Sequence, residues 1–167
     1  MYKTSLNIGT LAGLMAFGLF VALYYIGFTP LGPGKLLGLW IPIAAVVWTN
    51  LYMRNRVLGG KITYLQAFVS GILTILVWST CKGFCMYIFI MLGNQRVITQ
   101  YTDFMQHYVH FVENITGENM SEQIDLEKLI AEATPWKLMV GDISNNISFG
   151  VFICFIISFI TARSPGK

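Results

Sequence analysis

Four long apolar runs, separated by three more polar connections, set the pattern of this chain: about 6–28, 36–52, 64–92 and 136–161. A helix rising 1.5 Å per residue needs roughly 20 apolar residues to cross a hydrocarbon core of about 30 Å, and the runs cluster around that length. The pattern therefore predicts an all-α fold, a polytopic membrane protein with four transmembrane helices in a single membrane domain over 1–167. The first connection, Thr29-Pro30-Leu31-Gly32-Pro33-Gly34, is too short and turn-rich to be anything but a tight reversal, so the first two spans form an antiparallel hairpin. A secretory signal would have a shorter apolar part and end at a small-residue cleavage site, so the first run reads as a retained span. Pro42, inside the second run, removes a backbone donor and predicts a kink there.

The third connection has a periodicity of its own. From Gly93 to Ile115 apolar residues recur at helical spacing as Phe104, Tyr108, Phe111 and Ile115, predicting an amphipathic helix that either projects from the third span or lies on the bilayer surface. Beyond Thr116-Gly117, Ser121 can cap a second short helix reaching Ala133, with Ile124, Leu126, Leu129 and Ile130 needing apolar cover. The two form an exterior helical excursion over about 96–133, between helices three and four, and are expected to pack together. Thr134-Pro135 has the cap-then-proline form that starts the last span.

Composition agrees with this reading: 55% apolar and 11% charged residues are wrong for a water-facing surface. Charge adds an orientation. Every acidic residue lies between Asp103 and Asp142, whereas Arg54, Arg56 and Lys61 crowd the short second connection, the densest basic cluster in the chain. Such loops stay in the cytoplasm, which puts both termini inside, as Lys3, Arg163 and Lys167 also suggest, and the acidic excursion outside. Topology accounts for the basic loop, so no nucleic-acid partner is expected. Cys81, Cys85 and Cys154 sit in apolar runs without redox or metal spacing and read as small hydrophobes. Gly9, Gly13 and Gly18, with Ala12 and Ala16, give small-xxx-small spacing suited to close packing of a neighbouring helix or to homodimerisation.

An ionisable side chain within a span marks a functional site by default, which singles out Lys82. Counted from Tyr64 it lies about 27 Å along the third span. Asp142 falls at a similar depth on the fourth span, beside Asn145 and Asn146. Three readings follow: a Lys82–Asp142 pair that offsets two buried charges, a Lys82 that snorkels to the outer headgroups, or a polar pocket formed with Asn145 and Asn146 that takes a polar ligand or an anionic lipid group. Asp103, His107 and His110, at i, i+4 and i+7, are acceptable ligand types along one helical face, but a metal site needs converging geometry and supporting contacts. No metal or cofactor is expected. No nucleophile with a partnered base, no catalytic carboxylate pair and no phosphate-cradling loop points to an enzyme.

Several short motifs carry a family likeness: Pro30-Leu31-Gly32, Leu37-Gly38 with Ile41-Pro42, Arg54-Asn55-Arg56, then Gly59-Gly60-Lys61-Ile62-Thr63-Tyr64 followed by Gln66-Ala67-Phe68 and Gly71. In these, over about its first half, the chain resembles the four-helix bacteroidete membrane proteins grouped as domain of unknown function 4199, although that pattern usually has Asn where this chain has Thr29. The resemblance implies a four-helix fold in a bacterial inner (cytoplasmic) membrane and transfers no catalytic residue. The expected function is a non-catalytic accessory or assembly subunit that binds another membrane protein or a second copy of itself. The alternative is a small transporter or a polar-ligand or lipid-binding protein using Lys82 and Asp142.

Overall fold

The computed structural model describes residues 2–116 and 133–162, among which there are five α-helices and no strand. Helix α1 is Tyr2–Ile26, α2 Trp40–Tyr52, α3 Tyr64–Met91, α4 Arg96–Thr116 and α5 Pro135–Thr161. Around α2 the second span is continued at its start by a 3-10 turn, Pro33–Gly38, and at its end by a π turn, Met53–Val57. Four helical segments, Tyr2–Ile26, Pro33–Val57, Tyr64–Met91 and Pro135–Thr161, are long and apolar enough to cross a membrane, and the chain is a membrane protein. The second half of the expected exterior excursion, including Ser121 and Leu129, lies outside the described residues.

The helix starts follow local chemistry. Thr63 caps α3 by accepting from the Gln66 N–H, while the Gln66 side chain accepts from the Thr63 N–H in return. Thr134 caps α5 in the same way through the Lys137 N–H, with Pro135 at the first helical position. Pro42, where a kink was expected inside the second span, lies at the start of α2. Pro33 and Gly34 start a 3-10 turn first, so α2 begins only at Trp40, and Pro42 falls in its first turn where no intrahelical donor is required.

Helix α3 is the hub: it packs along α1 and α5 and against α2, while α2 makes smaller contacts with α1 and α5. Because lipid is as apolar as leucine, close backbone approach at small residues holds such helices together. Gly9 and Gly13 lie against α3 so closely that a Cβ at Gly9 would come within 2.8 Å of the Thr74 carbonyl and one at Gly13 within 2.8 Å of the Cys81 Cβ. The glycine stripe of α1 thus serves packing within the chain, except at Gly18, which faces open space. One core cluster joins Ala12, Ala16, Val46, Ile75, Ile153 and Cys154. A second, toward α4, joins Phe20, Met86, Ile90, Val97, Leu138 and Met139. Large exposed apolar side chains, such as Leu14, Trp48, Phe84 and Phe155, occur on all four spans as lipid contact requires.

The α4 helix is not an extension of α3. Gly93, at φ +105°, and the Asn94 side chain, which donates to the Phe89 carbonyl at 3.0 Å, end α3 and turn the chain. From there α4 comes back over the end of the bundle: Val97 is buried in the second cluster and the Phe104 ring sits on Gly32, in the turn between α1 and the second span. The apolar stripe expected to be covered divides accordingly. Phe104 is half-buried, but Tyr108, Phe111 and Ile115 are exposed and Val109 takes the buried position instead. The first half of α4 meets the bundle through Val97 and Phe104.

Candidate functional site

The α3–α5 interface fixes the level of the polar residues. The two helices run antiparallel, with Gly71 against Cys154, Ile75 against Gly150 and Gly83 against Ile143. Glycine at 83 allows this approach, since a Cβ there would fall 2.6 Å from the Ile143 side chain. That register sets Lys82 and Asp142 opposite one another, about 14 Å before the end of α3 and about 10 Å after the start of α5. Lys82 Nζ donates to Asp142 Oδ2 at 2.7 Å, and both residues are buried. Asn146, one turn on, donates from Nδ2 to the same oxygen at 2.8 Å.

The other carboxylate oxygen belongs to a lysine on a third element. Lys35 stands in the 3-10 turn Pro33–Gly38, where Gly34 packs against the Thr29 carbonyl and the Lys35 N–H bonds to the Gly32 carbonyl at 3.0 Å. This turn brings Lys35 Nζ to 2.9 Å from Asp142 Oδ1, a charge contact rather than a directed hydrogen bond. One carboxylate, 2% exposed, is therefore shared by two ammonium groups, 9% and 26% exposed, and the cluster carries one excess positive charge. Bare charges at this depth are costly, so the carboxylate of Asp142 needs a cation beside it, and here it has two.

Two cavities meet at this cluster. The deeper, about 30 Å³, is bounded by Lys35, Lys82, Trp78 and Asn146 together with apolar residues of α1 and the second span. The outer, about 90 Å³, lies under Tyr101 of α4 and is lined by Lys35, Asp142, Asn145 and Lys137. Lys35 lines both, which makes it the boundary between them.

Of the residues singled out in the sequence, Lys82, Asp142 and Asn146 come together; Asn145 is exposed and reaches only the outer cavity. Asp103, His107 and His110 do not converge. His107 Nδ1 donates to the backbone carbonyl of Asp103 at 2.7 Å, His110 Nδ1 pairs with Glu113 at 3.2 Å, and among the described residues no three potential ligands could hold a metal. Arg54, Arg56 and Lys61 lie at the opposite end of the bundle, where Gly59 and Gly60, both at positive φ, close the loop.

Two features escaped the sequence reading. Lys35, next to a Pro/Gly turn, looked like an ordinary flank of the second span. The other is a polar seam near the basic end: Ser5 donates to the Ser70 carbonyl at 3.2 Å, Ser70 to Asn50 Oδ1 at 2.8 Å, and Asn50 Nδ2 to Thr161 at 3.2 Å. It links all four spans. Asn50, near the end of an apolar run, was the available signal.

A family model described as Protein of unknown function (DUF4199) matches residues 7–163. No curated protein and no solved structure matches the chain.

Proposed function

The chain belongs to the family Protein of unknown function (DUF4199), and on that premise we propose that it is a non-catalytic, membrane-embedded binding protein, a small transporter or polar-ligand receptor, whose recognition centre is the Lys35–Asp142–Lys82 cluster. The observation that carries this reading is the sharing of one buried carboxylate by two lysines beside a cavity on either side. A structural ion pair requires one cation per carboxylate; a second cation and adjoining polar space are what ligand recognition needs. An accessory-subunit role has less behind it, because the exposed apolar side chains are spread over all four spans and lipid contact accounts for them. The basic loop at Arg54, Arg56 and Lys61 favours a cytoplasmic position for that end and an exterior one for α4, in a bacterial inner membrane. The outer cavity would then open to the exterior.

The test is access by water. Asn145→Cys, in a background with Cys81, Cys85 and Cys154 replaced, should react with a membrane-impermeant thiol reagent applied from the α4 side. A residue that stays unreactive in folded protein would leave the cluster a structural polar contact and end the binding reading.

A further inference from the structure

Four of the residues that line the deeper cavity, Lys35, Trp78, Lys82 and Asn146, carry side-chain N–H donors. Lys82 Nζ has three N–H groups and gives one to Asp142, Lys35 contacts Asp142 from the far side, and Asn146 spends its amide on the same carboxylate. Trp78, 4% exposed, also lines this space, and its buried Nε1 has no acceptor in the protein. A buried N–H without an acceptor is costly and uncommon, and Trp78 is one of the residues that bound this cavity, beside two lysines that share a single carboxylate. Asp142 borders the outer cavity and does not line the deeper one, so no carboxylate faces this space. The two lysines at its wall disfavour a cation there.

We propose that the cavity between Lys35, Lys82, Trp78 and Asn146 is a binding site for a small anionic group, either a free inorganic anion or an oxygen of an acidic lipid headgroup. This rests on the binding-centre reading above and names its ligand class. Size permits the choice: about 30 Å³ leaves room for a water-sized group, such as a halide or one oxygen of a phosphate. A water molecule in the cavity would leave the excess charge as it is. An anion answers it, with the ammonium donors supplying charge-assisted hydrogen bonds. Lys35, the residue common to both cavities, is the group an anion meets on passing from the outer cavity to the deeper one.

The experiment uses the full-length protein in nanodiscs of neutral phosphatidylcholine, with gluconate as the reference anion at constant ionic strength. A ligand that binds only the folded state raises the unfolding temperature in a saturable way. Replacing gluconate with chloride or with inorganic phosphate should do so if the ligand is a free anion. Adding phosphatidylglycerol in gluconate buffer should do so instead if it is a headgroup. Lys35→Met should weaken the apparent affinity about tenfold or more, as loss of a charged contact implies, and Trp78→Phe, which removes the indole N–H and leaves an aromatic side chain, should also weaken it. An unfolding temperature indifferent to all three anions, or an equal rise in the wild type and both variants, overturns the proposal. No anion effect with a reactive Asn145→Cys removes the ligand assignment and leaves the binding centre; an anion effect with an unreactive Asn145→Cys supports an enclosed anion site and removes the binding centre.

Discussion

Replacing Asp142 by Asn removes the one anion that Lys35 and Lys82 share and leaves two ammonium groups facing each other across a neutral amide. Removing one partner of a buried ion pair costs about 3–5 kcal/mol, so a loss of about 4 kcal/mol is expected. Lys82→Met is a milder perturbation. Its carboxylate partner keeps Lys35 at 2.9 Å and Asn146 at 2.8 Å, and the loss should be that of a single charged hydrogen bond, about 2 kcal/mol. Independent effects would then sum to about 6 kcal/mol in the double variant. The double variant instead retains only Lys35, at the edge of the cluster with a quarter of its side chain exposed and able to turn toward water, so its loss should be nearer 2 kcal/mol. The measurement is equilibrium unfolding in mixed micelles, followed by near-ultraviolet circular dichroism, on the four proteins of the cycle. Two results refute the reasoning: Lys82→Met as damaging as Asp142→Asn, or single effects that add to within about 0.5 kcal/mol.

Three further outcomes are expected. Gly9→Val should destabilise by about 1–3 kcal/mol, because its Cβ would press on the Thr74 carbonyl, whereas Gly18→Val, with open space around it, should cost no more than a few tenths; equal unfolding profiles would contradict the α1–α3 packing. Asn50→Leu should cost on the order of 1 kcal/mol by breaking its bonds to Ser70 and Thr161 together, a loss that Ser70→Ala should partly duplicate in the double variant if the seam acts as one unit. Reporter fusions after Gly59 should give a cytoplasmic signal and fusions after Thr116 an exterior one, and the reverse pattern would invert the proposed orientation.

The four spans were legible in the sequence because crossing a bilayer constrains each segment separately: length and apolarity suffice, and no knowledge of neighbours is required. The opposing levels of Lys82 and Asp142 were legible for a related reason, since a fixed rise per residue converts position into depth on antiparallel helices. Rotation about the helix axes was not. Hydrophobic periodicity gives no direction to a helix that is apolar all round, so only tertiary packing showed that Gly83 and Gly150 seat α3 against α5, and that Asn146 faces the cluster while Asn145 does not. Lys35 depended on a 3-10 turn whose direction is set by the close fit of Gly34 against Thr29, and Pro42 on where that turn let α2 begin. On α4 the sequence determined an amphipathic helix, but which of its side chains are covered was decided by the fold, in which Val109 is buried and Phe111 exposed. Depth is a property of one segment and a shared carboxylate is a property of three, which is why the pair could be anticipated in the sequence and the third member appeared only in the fold.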